Sequence, residues 1–206
     1  MLILDLDNTI FPTNSIPFDS FLPVVEVVEK HLLQQFDKAK TSSVIEELWN
    51  VPFDYVSKKY NFPERVNTDF YKTIQELEYD FQLSTYNDYP FLRQLTHRKI
   101  LVATGFKKLQ FAKIRALGIG NDFEAIFIDD PSDSNRIFKK GIFENILKKE
   151  NLQPSDIWVI GDHPNTEIAA AKVLGIRTIQ VVRPETNFEI KGEFSINSFE
   201  ELFPNN

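Results

Sequence analysis

From residue 88 onward the chain repeats one unit, a short apolar run followed by an amphipathic stretch of helical period. The runs are KILVAT (Lys99 to Thr104), AIFID (Ala125 to Asp129), IWVIGD (Ile157 to Asp162) and RTIQVV (Arg177 to Val182). KKLQFAKIRAL, KKGIFENILKKE and NTEIAAAKVLG fall between them. Parallel strands need a crossover helix to return to the same edge, so this alternation predicts a parallel sheet with helices on its faces. One further run, MLILDL, opens the chain and is separated from the others by a long segment of a different kind.

That segment, from residue 18 to 86, contains no glycine; all seven glycines of the chain lie at or after Gly105. FLPVVEVVEKHLLQQF carries apolar residues at helical spacing. VIEELW, PFDYVSKKY and NTDFYKTIQELEYDF read as further helices, with Pro52 and Pro63 at breaks or first turns. The expected fold is therefore α/β, a doubly wound, Rossmann-like, mostly parallel sheet of about five strands. Its core takes residues 1–14 and 88–206, and a helical cap domain is inserted at residues 15–87.

Composition narrows the chemistry. The absence of cysteine excludes disulfides and thiolate metal sites, and with three His and one Met the available cation ligands are mainly carboxylates. A net charge of −7 without a basic run repels phosphate backbones, so neither nucleic acid nor an anionic membrane is an expected partner. No apolar stretch approaches the roughly 20 residues that span a bilayer, and the opening lacks the basic flank and cleavage site of a signal peptide. The expected location is cytoplasmic and the expected partner a small molecule; the pattern does not set an oligomeric state.

In open parallel sheets, ligands bind beyond the carboxyl ends of the strands. Asp5, Thr104 and Asp162 all fall at such ends. Strand alternation lets Asp5 and Asp7 face one site while Leu6 turns into the core. One carboxylate of such a pair can attack phosphorus to form an acyl phosphate, and the other can move the proton. Clustered Asp5, Asp7 and Asp162 call for a counter-charge, and magnesium, which prefers oxygen ligands, suits them. Thr104 and Gly105 in VATGF offer a hydroxyl and a close backbone approach for phosphate at a helix N-terminus. Lys139 or Lys140, opening KKGIFENIL, would add a fixed positive charge. His163 is read as a loop residue, and Asp129 and Asp130 as part of a solvated loop, IDDPSDSN.

Four motifs occur in the order found in the haloacid dehalogenase superfamily, and the chain resembles the phosphatase branch of that superfamily with a helical C1-type cap. DLDNT resembles its first motif, D-x-D-x-[TV], which implies Asp5 as nucleophile, Asp7 as general acid/base and Thr9 as support for the loop. VATGF resembles the second and gives phosphate binding to Thr104. GDHPNTEI resembles the fourth and implies Asp162 as metal ligand with Glu167 as its acidic partner. The implied Mg2+ would be held by the Asp5 and Asp162 carboxylates and the backbone carbonyl of Asp7. The third motif departs from the commonest pattern, because RIFKKGIFENIL lacks the Lys-Pro of many relatives. Lys139 stands four residues before Phe143, similar to the phosphoserine-phosphatase-like members, which favours it over Lys140.

The resemblance implies a magnesium-dependent phosphatase that hydrolyses a small soluble phosphomonoester through an aspartyl-phosphate intermediate. A nucleotide, a sugar phosphate or a phosphoglycolate-like compound fits that class. A phosphomutase similar to beta-phosphoglucomutase also keeps both aspartates and is the alternative enzyme. A non-catalytic phosphometabolite-binding protein would have no need of Asp7, and the dehalogenases of the superfamily do not use an acid/base aspartate at that place.

Overall fold

The structure, a computed structural model, describes residues 1–50 and 53–203. In chain order its elements are β1 (Leu2–Leu4), α1 (Leu22–Leu32), α2 (Lys38–Asn50), α3 (Phe53–Lys59), α4 (Glu64–Glu76) and α5 (Tyr89–Gln94). There follow β2 (Lys99–Thr104), α6 (Lys107–Leu117), β3 (Ala125–Asp129), α7 (Phe138–Glu150), β4 (Trp158–Gly161), α8 (Glu167–Val173), β5 (Arg177–Val181) and β6 (Phe194–Ile196).

The strands form one parallel sheet in the order β3-β2-β1-β4-β5-β6. The sheet thus has six strands, not about five. The extra strand, β6, pairs with β5 through Ile179 and Phe194 at the sheet's edge. It is three residues long with Phe194 and Ser195 exposed, so it carries none of the apolar run that marks a buried parallel strand.

Alternation along β1 sorts the core. Leu2 and Leu4 face a cluster shared with Tyr89 and Leu92 of α5 and with Leu109, Ala112 and Ile114 of α6. Ile3 faces the opposite cluster, with Ile142, Phe143 and Ile146 of α7 and Ala171 of α8. β1 is buried on both faces because all three of its residues are large and apolar. The chain builds outward from β1 to β2 and β3, then crosses back to lay β4 on the other side of β1. The strand order therefore reverses between β1 and β4, where the crevice of a doubly wound sheet opens.

Helices α1 to α4 pack on a core of their own. Val24, Val28 and Leu32 of α1 and Val66, Phe70 and Ile74 of α4 repeat every four residues and face each other with Val44, Phe53, Val56 and Phe62. Pro63 stands at the entry to α4; Pro52 lies outside the described residues. The helix read through Phe81 ends at Glu76, where Leu77 turns extended (φ −58°, ψ 136°). The reason is tertiary: Phe81 and Leu83 are buried in the core above the sheet, which a continued helix would not reach. Contacts that tie the helices to the sheet side include Phe106 against Phe70 and Tyr71, a Lys108 Nζ hydrogen bond to Gln75 O and an Arg136–Asp54 ion pair at 3.2 Å. Among the described residues no helix is long and apolar enough to cross a membrane.

Candidate active site

Asp5 is the first residue past β1, and its amide still donates to Ile160 O of β4, so it sits at the crevice between the two strands. Leu6 is fully buried, and the chain then closes a tight loop. Asn8 takes a left-handed conformation (φ 53°), and its side chain accepts from the Thr13 amide and hydroxyl. Arg183 donates to Thr9 O from below. The Thr9 side chain is fully buried and its hydroxyl donates to Asp162 Oδ1, so it braces one acidic residue of the site.

Asp5, Asp162 and Glu167 converge so that one carboxylate oxygen from each lies within 4.8 Å of the others. Glu167 reaches the group from the first turn of α8, across the backbone of Gly161. Any Cβ at position 161 would collide with the Glu167 side chain, 2.5 Å from Oε1 and 2.7 Å from Cδ, so the glycine of the GD pair is what admits this acid. The His163 amide donates to Glu167 Oε1 and the Thr166 hydroxyl to Oε2. Lys139 Nζ bridges Asp5 (2.6 Å) and Glu167 (2.8 Å). Lys140, one residue on, is half exposed and pairs with Glu144 on the surface. The structure thus puts Lys139, and not Lys140, in the cluster.

Three buried carboxylates and a single ammonium leave a formal excess of two negative charges. Burial pushes Asp5 up to about 7, with Glu167 adding to the effect and Lys139 opposing it. Burial, Glu167 and Asp5 push Asp162 up to about 8. For Glu167 burial works against the charge, but Lys139 and the hydrogen bonds around it hold the carboxyl below its ordinary value. For Lys139 burial again opposes the charge, and the two carboxylates outweigh it and raise the ammonium. An all-oxygen donor set with two unbalanced charges fits a hard divalent cation such as Mg2+.

A pH dependence follows. Asp5 and Asp162 bind protons more tightly folded than unfolded, so what they contribute to stability is present below their ordinary value of 3.8. It is lost as pH rises through about 7 for Asp5 and about 8 for Asp162. Glu167 runs the other way, but its change is complete by its ordinary value of 4.5. The melting temperature of the cation-free protein is expected to fall between about pH 5 and pH 8.5, and added Mg2+ to raise it most at the alkaline end, where the ligands are deprotonated. Thermal melts with and without chelator across that range check this; a flat profile would refute it.

Asp7 does not join the acidic group. Its Oδ1 accepts from Lys113 Nζ (2.8 Å) and its Oδ2 from Gln110 Nε2 (3.0 Å), both from α6. Gln110 Nε2 also donates to Thr104 O at 2.5 Å. Gly105, at φ 142°, is required here, because a Cβ would run into the Gln110 amide. The Thr104 hydroxyl donates to Asp129 Oδ2, and Arg136 clamps that same carboxylate with Nε at 2.6 Å and Nη2 at 3.1 Å. The Gly105 N–H donates to Asp129 O, and the Lys107 N–H at the start of α6 donates to Asp130. Thr104, Gly105 and the start of α6 stand together at the end of β2, and their donors are engaged by Asp129 and Asp130. Asp129, expected in a solvated loop, is instead the last residue of β3 and is buried, paired in register with Thr104 of β2. His163 packs its ring on Phe188 and its Nδ1 accepts from the Asn165 amide, as a loop residue does.

Gln110, Lys113, Asp129 and Arg136 escaped the sequence reading of the site. In KKLQFAKIRAL, Gln110 and Lys113 share a helix face with Leu109, Ala112 and Ile114, and polar residues on the buried face of an amphipathic helix are the signal that marks them.

The sequence profile of the haloacid dehalogenase-like hydrolases matches residues 2–181. No curated protein matches the chain. Among solved structures, a haloacid dehalogenase-like family hydrolase of Streptococcus pneumoniae aligns with 98% of this chain and 95% of its own at 15% identity and a TM-score of 0.69. YfnB of Bacillus subtilis, a HAD-hydrolase structure bound to magnesium, aligns with 98% and 95% at 18% identity and a TM-score of 0.65. A HAD phosphatase of Thermococcus onnurineus aligns with 98% and 94% at 17% identity and a TM-score of 0.61.

Proposed function

Because this chain belongs to the haloacid dehalogenase-like hydrolases, we propose that it is a magnesium-dependent phosphatase acting on a small phosphomonoester. The observation that carries the reading is the division of labour between two aspartates on one loop. Asp5 lies in the anionic cluster beside Lys139, and Asp7 lies outside that cluster with separate partners. A nucleophile next to a cation site and an independent proton-transfer group are what phosphoryl transfer through an aspartyl phosphate needs.

Asp5 Oδ attacks phosphorus in line as the bond to the leaving oxygen breaks, and Asp7 gives that oxygen its proton. Asp7, now a carboxylate, takes a proton from water, which attacks the same phosphorus. The bond to Asp5 breaks, Asp5 is restored and inorganic phosphate leaves. Lys139, 2.6 Å from Asp5, screens the negative phosphoryl oxygens from the attacking carboxylate, and the Thr104 hydroxyl turns from Asp129 to the phosphate. The Asp5 and Asp162 carboxylates and the Asp7 carbonyl, with Glu167 beside them, would hold Mg2+, which would supply further neutralisation of phosphoryl charge when bound. Helices α1 to α4 act as the cap that covers the leaving group and sheds water, with Arg136–Asp54 as one of its ties to the sheet side.

A panel of phosphorylated small metabolites, ranked by kcat/KM with Mg2+ and with chelator, tests the reading. Magnesium-dependent release of inorganic phosphate is the expected result. No release from any member overturns the phosphatase. Transfer of the phosphoryl group to a sugar phosphate in preference to water would instead identify a phosphomutase.

A further inference from the structure

Asp7 lies beside the acidic group without joining it. It stands two residues after Asp5 on one tight loop, next to a cluster that gathers three carboxylates and is short of positive charge. A divalent cation in that cluster would attract a fourth carboxylate, and an aspartate bound to the cation has its oxygens committed there. The structure holds Asp7 off. Both of its oxygens are taken by α6: Oδ1 by Lys113, whose side chain is 7% exposed, and Oδ2 by Gln110, which is 2% exposed.

The two side chains that hold Asp7 are themselves fixed in place. Gln110 Nε2 spends its two hydrogens on Asp7 and on Thr104 O, and Gln110 Oε1 is buried with no partner. A flipped amide would set that oxygen against a carboxylate and a carbonyl, two acceptors, so the orientation is fixed. Gly105 leaves room for the amide. Lys113 Nζ lies 5.7 Å from the centre of the Phe11 ring, and Phe11 N and O belong to the same loop as Asp7, with Phe11 O accepting from Asn8 N. A buried lysine and an amide with an orphaned oxygen are costly features for a helix face that could have been apolar.

We propose that Gln110 and Lys113 are positioning residues that keep the Asp7 carboxylate out of the cation cluster and against α6, where each oxygen accepts one hydrogen bond and keeps a second lone pair for the transferred proton. This rests on the phosphatase reading for its kinetic consequence, but not for its structural one. With Lys113 gone, Asp7 is released toward the cation, so metal binding tightens while chemistry slows. A variant that merely loosened the fold would weaken both.

The test compares wild type, Lys113→Met, Lys113→Arg, Asp7→Asn and the double variant Asp7→Asn/Lys113→Met, by calorimetric titration with Mg2+ and by kcat/KM. Lys113→Met is expected to bind Mg2+ more tightly than wild type. Removing a positive charge alone would also tighten binding, and the double variant separates the two causes: it is expected to bind Mg2+ as Asp7→Asn does. In turnover, Lys113→Met is expected to lose about 10²-fold in kcat/KM on an alkyl phosphate, the scale of a misplaced proton-transfer group. It should lose little on 2,4-dinitrophenyl phosphate, whose leaving group needs no proton, and Lys113→Arg should recover part of the loss. Unchanged or weaker Mg2+ binding by Lys113→Met, or tightening that persists in the Asp7→Asn background, would overturn the inference. So would equal losses on the two esters. If wild type hydrolyses neither ester nor any member of the phosphometabolite panel, the phosphatase reading fails, and the titrations still decide the clamp.

Discussion

Asp5→Asn is expected to reduce turnover of any phosphomonoester by at least about 10³-fold, the scale on which loss of a covalent nucleophile acts. The substitution keeps the shape of the side chain and removes only the attacking oxygen's charge, so the phosphoenzyme cannot form. Its effect on stability should be small and opposite in sign at high pH. Burial makes the ionised Asp5 unfavourable in the folded state, pushing its carboxyl up to about 7, and a neutral amide escapes that cost. Lys139 loses one partner and keeps Glu167 at 2.8 Å. The expected pattern is thus a folded protein, melting no lower than wild type above about pH 8, that turns over no substrate. Rapid-quench mass spectrometry should find the phosphorylated chain in wild type and none in the variant. Turnover retained by Asp5→Asn would sink covalent catalysis at this residue, and an unfolded variant is separated from an inactive one by the melt itself.

The contrast between Asp5 and Asp7 also shows how far the sequence could be read. Asp5 and Asp162 were legible from a local rule, a carboxylate just past an apolar run, whereas Glu167, and Lys139 in preference to Lys140, were named only through the resemblance to the superfamily's motifs. The recurrence of that local rule along the chain then supplied the shared rim. The six-residue helix α5 and the edge strand β6 were not legible, since neither is long enough to show a period and β6 exposes two of its three residues. Gln110 and Lys113 failed for a different reason. Their role depends on which face of α6 is turned to the loop after β1, a contact across 103 and 106 positions of sequence that periodicity cannot report. Arg136 is the same case: only the folding of its loop brings the guanidinium onto Asp129 and onto Asp54 of α3. The phosphate seat was read from its residues, but its hydrogen-bond partners depend on Asp129 and Asp130, which come from the neighbouring strand end.

Lys139→Met should be the most damaging change to the fold made at the site. Among the described residues, Lys139 is the ammonium paired within this acidic group, bridging Asp5 and Glu167, and its own side chain is 6% exposed. Removing one partner of a buried ion pair leaves uncompensated charge, which costs about 3–5 kcal/mol. That cost has a signature that separates it from lost packing. With Lys139 present, the proton affinity of Asp5 and Asp162 is already raised, to about 7 and about 8. Without it, the opposition to that rise is gone, so both acids should hold protons to still higher pH. Proton uptake then replaces part of the lost charge on acidification. Urea unfolding should therefore show the largest gap between variant and wild type near about pH 8 and a smaller gap near about pH 5. Mg2+ should narrow the gap at alkaline pH by supplying the missing positive charge, yet activity should stay depressed because the phosphoryl oxygens lose their fixed cation. A gap that is the same at both pH values and indifferent to Mg2+ would mean that Lys139 serves the fold through the packing of its methylene stem. The charge balance proposed for the cluster, and with it the argument for a divalent cation there, would then fail.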